Sequence, residues 1–578
     1  MERTQTVTGS AAAGEFHRQQ IAEHRQLRAA DERFPFNAGR LAAKALNRLG
    51  VRHLFTLSGG HLFPLYDGCV EQGIHIVDHR HEEAACHAAE AYAKFTRQPG
   101  VCAVTAGPGV TNAVSSIAAA QFNRSPLVVL AGRAPEWRWG QGSLQEYDHI
   151  PVVQPITKSA ETVRQPDRAH IALYDAWQEA MRGAPGPTFI DVPLDVLVSA
   201  VDEAAVEWPE LDQSAPAADA DAVAAAARVI DGAERPVIMA GTGTYWHHGE
   251  GPLRELAEKA CIPVFMNGLG RGLLPADHPN AGSRSRGAGL GGADVLILVG
   301  TPLDFRLNFG QSPPLAGDVK LVRIDALESD LNRNRPGDAG IAGNIGAALA
   351  ALAEKVDGAA HRAEREAFLA ELREKEQAAE AQDRVLLESD ADPIHPLRVY
   401  GELAKRLDRD AVVIGDGGDF ISYAGKYIAT YEPGHFIDPG PFGGLGMGTP
   451  SAIAARLAHP DGQVVLLLGD GAAGFSLMEF DTLVRHRLPV VAIMGNNSAW
   501  GLEKHPMEML YGWSIAAELN PAARYDQLVV ALGGHGEYVT EPAAVGPAID
   551  RAFASGLPAL VNIACDPAVA YPRSTNLA

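Results

Sequence analysis

Two short segments near the C-terminal end of the chain carry residues whose types and spacing suit metal and phosphate chemistry. Gly469-Asp470-Gly471 follows the apolar run QVVLLL, and Asn496-Asn497 follows a second apolar run, LPVVAIMG. From Asp470 to Asn497 is 27 positions. One strand–helix–strand unit of that length returns the second strand beside the first. The carboxylate of Asp470 and the amide oxygen of Asn497 can then meet at the C-terminal edge of a sheet, where open α/β sheets bind ligands. A hard Mg²⁺ ion takes such oxygen ligands and keeps a diphosphate in its shell. Glycine lets the backbone approach phosphate, and a helix start offers free N–H groups. GDG alone also reads as plain punctuation between a strand and a helix. The Asn-Asn pair at this spacing favours the metal–diphosphate reading.

A third segment lies far upstream. Asp78-His79-Arg80-His81-Glu82-Glu83 follows an apolar strand and opens a helix. Glu82 suits acid–base work. An ordinary charged helix start is the alternative, because carboxylates there meet the helix dipole favourably, and Glu83 fits that role.

The elements that must position these residues alternate throughout. HLFTL, IHIVDH, VCAVTA, SPLVVLAG and PTFIDVPL read as strands with helical stretches between them. RPVIMAGTG, IPVFMN, DVLILVG and VKLVRID repeat the pattern, as do AVVIGDGG, QVVLLLGDG, LPVVAIMGNN and PALVNIAC. Such alternation implies βαβ units and parallel sheets. The fold class is α/β, with three doubly wound parallel-sheet domains. The expected organisation is an N-terminal arm (1–35), a first domain (36–200), a linker (201–217), a central domain (218–357), a charged linker helix (358–392), a third domain (393–570) and a tail (571–578).

Composition narrows the class of function. Of 578 residues, 46% are hydrophobic and 21% charged, as in an ordinary globular protein. A net charge of −22 argues against a nucleic-acid partner, which needs a basic face. The five cysteines have no zinc-type spacing and suit buried thiols in a reducing compartment. No signal-peptide core or membrane-length apolar run is present, so a cytoplasmic protein with no membrane partner is expected.

The GDG…NN pattern and the Asp78–Glu83 segment together resemble the thiamine-diphosphate (ThDP) enzymes, in their acetolactate-synthase-like branch, from about residue 36 to 570. The resemblance names the three domains pyrimidine-binding, central Rossmann-like and diphosphate-binding. It implies that Asp470, Asn497 and the carbonyl of Ala499 hold Mg²⁺, while Gly471, Ala472 and Ala473 line the diphosphate. Gly418, Asp419 and Phe420 match a second phosphate loop. Glu82 becomes the glutamate that activates the aminopyrimidine. Thr105-Ala106-Gly107-Pro108-Gly109-Val110-Thr111-Asn112 resembles the family's glycine-rich turn. Leu445, in Gly443-Gly444-Leu445-Gly446, takes the place of the apolar wedge under the cofactor, with a plain core leucine as the alternative. His61 and Gln145 match substrate-side loops. In the family the glutamate and the metal site meet across two subunits, which implies a homodimer at minimum and a homotetramer as the typical form.

The residues after Asn497 bear on the reaction. The Gln-Trp pair of acetolactate synthases is absent from Ser498-Ala499-Trp500-Gly501-Leu502-Glu503-Lys504-His505. The segment resembles instead bacterial 2-hydroxyacyl-CoA lyases, which split a 2-hydroxyacyl-CoA, a CoA thioester, into formyl-CoA and a ketone or aldehyde. Glu503 would then move the proton. Its alternative is a solvated glutamate paired with Lys504 or His505. Trp500 and Leu502 would shape the acyl pocket, with Trp137 and Trp139 adding to its wall or packing in an interface. The central domain would hold ADP, the nucleotide of CoA, or nothing, with FAD the weaker expectation. Arg271, Arg284, Arg286 and Arg306 are its candidate phosphate ligands. An acetolactate synthase condensing pyruvate is the alternative function. A non-catalytic ThDP-fold binding protein is disfavoured, because Glu82, Asp470 and Asn497 are all present. The tail either folds over the site as a lid or frays.

Overall fold

In the computed structural model, residues 22, 35–212 and 217–572 are described. The expected N-terminal arm, part of the first linker and the last six residues of the tail lie outside the described residues, apart from residues 22 and 35. Three six-stranded parallel sheets follow one another along the chain.

The first sheet contains β1 (His53–Thr56), β2 (His75–Asp78), β3 (Gly100–Val104), β4 (Leu127–Arg133), β5 (Ser159–Thr162) and β6 (Pro187–Pro193). Its order is β2-β1-β3-β4-β6-β5. Helices α1 (Glu82–Thr96) and α2 (Pro108–Asn112) begin at the C-terminal ends of β2 and β3. The central sheet contains β7 (Pro236–Ala240), β8 (Val264–Met266), β9 (Ala281–Gly282), β10 (Val295–Val299), β11 (Lys320–Asp325) and β12 (Ala339–Ala342), in the order β12-β11-β10-β7-β8-β9. The charged connecting segment is the helix α3 (Arg362–Leu387), as its composition predicts.

The third sheet contains β13 (Val412–Asp416), β14 (Phe436–Ile437), β15 (Val464–Gly469), β16 (Val491–Asn496), β17 (His535–Val539) and β18 (Ala559–Ala564). Their order is β14-β13-β15-β16-β18-β17. Helix α4 (Asp419–Ser422) follows β13, α5 (Gly448–Ala458) precedes β15, and α6 (Asp470–Ser476) and α7 (Glu479–Arg485) link β15 to β16. Helix α8 (Gly501–Tyr511) follows β16.

The central strands are buried on both faces, as parallel strands covered by helices must be. This is why they read as continuous apolar runs rather than alternating ones. The cysteines Cys69, Cys86, Cys102, Cys261 and Cys565 are all buried and unpaired.

The first and third domains also grip each other within the chain. Helix α1 packs along α5. At the end of β2, His79 Nδ1 lies 3.0 Å from Glu479 Oε2, and the Arg80 amide donates to Glu479 Oε1 at 2.8 Å. Arg485 Nη1 donates to Asp78 Oδ2 at 2.6 Å, and His486 Nε2 lies 2.9 Å from Asp78 Oδ1. Helix α7 thus clamps the loop that leads into α1. No helix among the described residues is long and apolar enough to cross a membrane.

Candidate active site

Strands β15 and β16 are neighbours in register, with Gly469 opposite Gly495. Asp470 and Asn497 therefore leave adjacent strand ends, as their spacing predicts. Asp470 is 2% exposed, and its Oδ2 is buried with no hydrogen-bond partner. Burial pushes this carboxyl up to about 6, against the pull of backbone amides that include those of Asn497 and Ser498. A buried, half-satisfied carboxylate is costly by itself and is what a hard cation would neutralise. Asn497 Oδ1 accepts from the Ala499 amide at 3.2 Å. The turn is pinned by Trp500 N–H to Ala517 O at 2.7 Å and Leu519 N–H to Ser498 O at 2.7 Å. Asp470, Asn497 and Ala499 thus stand on one tight scaffold. Among the described residues no three His, Cys, Asp or Glu side chains group to hold a metal. One carboxylate, one amide and one carbonyl would leave the rest of an Mg²⁺ shell to a diphosphate and water.

The loop beside them is built for close approach. A Cβ on Gly469 would meet nothing within 4 Å, and Gly417 sits at φ +111°. Ala472 and Ala473 are buried in the first turn of α6. Gly471 is covered by Trp500, whose ring would come within 2.5 Å of a Cβ there. Gly418 is covered by Leu502, 3.0 Å from the corresponding Cβ. Trp500 and Leu502 therefore stand over the two expected phosphate loops.

Two expected phosphate contacts have side chains that point elsewhere. The Asp419 carboxylate accepts from the Tyr571 amide at 3.0 Å and packs on Gly501. The Phe420 ring packs on Gly495 and Tyr400 in the core of the third domain. A carboxylate would repel a phosphate, and a phenyl ring has no donor for it, so only the backbone of this turn suits the expected role. The sequence gives Asp416 no role beyond its place in Gly415-Asp416-Gly417-Gly418-Asp419-Phe420, the segment that matches the second phosphate loop. Buried at the end of β13, it accepts from the Gly446 amide at 3.1 Å and the Gly448 amide at 2.8 Å. It holds both sides of the turn that carries half-buried Leu445.

Glu82 is the first residue of α1 and is 6% exposed. His81 caps the helix, its Nδ1 accepting from the Glu83 amide at 3.2 Å. Glu82 Oε2 accepts from Asn112 Nδ2 at 3.0 Å. His61 and Gln145 meet through one hydroxyl: His61 Nδ1 lies 3.1 Å from Thr105 Oγ1, which donates to Gln145 Oε1 at 3.4 Å. Burial, and then the nearby His149, lower the His61 pKa.

Glu503 lies in the first turn of α8 and is exposed. Lys504 lies 3.5 Å from Glu518, and His505 lies 3.8 Å from Glu508, so both have carboxylates other than Glu503. Trp137 is 62% exposed under Arg138, whereas Trp139 lies under Arg133. In the central domain, Arg284 is tied to Asp383 and Arg306 to Asp304. Arg286 donates to Arg306 O at 3.0 Å, and Arg271 lies 3.4 Å from Asp438. A cleft where the three domains meet is lined by Lys94, Arg124, Gly300, Arg306 and Asp438.

An orphaned carboxylate oxygen, an open glycine and a buried glutamate at a helix start fit thiamine diphosphate with a divalent ion. Comparison with known proteins agrees for the cofactor. Residues 36–152 match the description "Thiamine pyrophosphate enzyme, N-terminal TPP binding domain", 223–352 the central domain, and 416–563 the "C-terminal TPP binding domain". A "Probable acetolactate synthase" of Mycobacterium bovis is 51% identical over 94% of this chain and 98% of its own length. The "Acetolactate synthase large subunit IlvG" of Mycobacterium tuberculosis matches to the same extent. The "2-hydroxyacyl-CoA lyase 2" of Homo sapiens is 32% identical over 86% of this chain and 84% of its own. With the site geometry and all three domain matches in agreement, the chain belongs to the thiamine pyrophosphate enzymes, in the superfamily that contains acetolactate synthase.

Proposed function

We propose that the chain is a carboligase of the acetolactate-synthase kind, joining two pyruvate-derived fragments. The observation that carries this reading is the 51% identity, along 94% of the chain, to two relatives bearing that name. Bound thiamine diphosphate supplies the carbon nucleophile and electron sink for chemistry next to a carbonyl. Glu82 holds a proton at the aminopyrimidine ring nitrogen. Asp470, Asn497 and the Ala499 carbonyl hold the divalent ion, and Leu445 supports the cofactor from below. His61 and Gln145, joined through Thr105, offer polar groups to the substrate. A homodimer or larger assembly completes the site.

A second reading has its own observation. The Gln-Trp pair is absent after Asn497, and Glu503 stands in the first turn of the helix that follows. This supports cleavage of a 2-hydroxyacyl-CoA to formyl-CoA and a ketone or aldehyde, with the Glu503 carboxyl moving the proton. Relatives of that name at 32–33% identity support it too, though more distantly. One assay decides. Protein loaded with ThDP and Mg²⁺ receives pyruvate in one vessel and 2-hydroxyisobutyryl-CoA in another, with products read by mass spectrometry. Acetolactate without formyl-CoA carries the first reading, and the reverse result carries the second. Absorbance near 450 nm in the purified protein would reveal flavin in the central domain.

A further inference from the structure

Asn112 closes the glycine-rich turn Thr105–Asn112 and has no role in either proposed reaction. It is the last residue of the short helix α2, and it reaches back to donate to Glu82 Oε2 at 3.0 Å. A side-chain amide on one carboxylate oxygen fixes the plane of the carboxylate and leaves the other oxygen to serve a ligand.

The place of Asn112 is set from behind. Helix α2 is preceded by Gly107, whose backbone sits at φ +60° and ψ −109°, a conformation that L side chains rarely adopt. The Gly107 amide donates to His149 Nε2 at 2.9 Å. Across the ring, His149 Nδ1 lies 2.8 Å from Asp191 Oδ2. An amide N–H can only donate, so Nε2 is the bare nitrogen and Nδ1 carries the proton, donating it to Asp191. Both His149 and Asp191 are fully buried, and Arg133 Nη1 donates to the same Asp191 oxygen at 3.0 Å. The imidazole is thus held in one tautomer by two fixed neighbours. The same turn carries Thr105, so the groups on the substrate side share this anchor.

We propose that Asn112 is a positioning residue that orients Glu82, and that the buried Asp191–His149 pair holds Asn112 in place through the Gly107 turn. This deepens the reading of Glu82 and rests on its facing the cofactor.

The test uses the full chain loaded with ThDP and Mg²⁺, with Asn112→Ala and Asn112→Asp. Asn112 is exposed at a helix end, so both variants should fold. The readout needs no substrate. It is the rate at which the C2 proton of bound ThDP exchanges with deuterium, read by NMR after quenched mixing. A displaced Glu82 leaves the aminopyrimidine poorly activated, so Asn112→Ala should slow this exchange about tenfold. Asn112→Asp should slow it further, because a second carboxylate so close repels Glu82 from its place. Turnover of whichever substrate is active should fall about tenfold in Asn112→Ala. An unchanged exchange rate in both variants, with unchanged cofactor affinity, overturns the proposal. Failure of both substrates in the wild-type assay would count against the proposed reactions and leave the exchange rate readable.

Discussion

Glu82 and Asp470 are both carboxylates at the first position of a helix, yet their surroundings assign them different work. Glu82 is held by a neutral amide and retains an oxygen for a ligand. Its replacement by Gln keeps the shape and removes the proton exchange. Turnover should drop by about 10²–10⁴-fold, with ThDP affinity, measured by tryptophan quenching, nearly unchanged. Full activity in Glu82→Gln would sink this assignment. Asp470 has a buried oxygen with no partner, which costs stability until a cation arrives. Metal-free Asp470→Ala should therefore melt no lower than the parent protein. The rise in melting temperature that Mg²⁺ and ThDP give the parent should disappear in the variant. Both residues were legible in the sequence, because each stands in a short motif directly after an apolar strand, and the two motifs together carry the family resemblance. Asn112, His149 and Asp191 were not. Their meeting depends on how three separate strand ends fold toward one another, and no short spacing records that.

The elements tell the same story by position in their sheets. Each inner strand was visible as a run of β-branched or leucine residues. The strands that escaped notice, β5, β9, β12, β14 and β17, are all edge strands. An edge strand is short or half-solvated, so SAET and HGEYV carry little of the apolar signal that burial on both faces demands. Phe420 misled for a related reason: its motif fixes the backbone of the turn, while its ring answers to the core behind. Asp416, at the end of an inner strand, shows how an element is tied to a loop. Burial raises its carboxyl from 3.8 to about 6. The folded chain thus holds a proton that the unfolded chain has released between about pH 4 and pH 6, and stability falls as pH rises through that window. Asp416→Asn lacks this term. Relative to the parent, the variant should gain about 3 kcal/mol between about pH 4 and pH 7, by denaturant titration at each pH. A constant difference across that range would contradict the raised value.

At the scale of the molecule, the clamp between α7 and the loop before α1 joins the first domain to the third. Glu479 is 2% exposed and accepts from the Arg80 amide and Thr482 as well as facing His79. Removing such a buried carboxylate strands several donors. Glu479→Ala should cost about 3 kcal/mol, and calorimetry should show the two domains melting apart where the parent melts them together. A single unshifted transition would mean that α1 against α5 is enough to join them. The repeated α/β pattern showed three domains, but not this clamp, whose partners lie some 400 residues apart. The burial of every cysteine also has a practical outcome. Three lie in the first domain, one in the central domain and one in the third. In the native state all five are shielded from alkylating reagents, so each becomes modifiable only when its own domain opens. Peptide mapping after timed exposure to iodoacetamide would then rank the three domains by how often each breathes, with no label added by design.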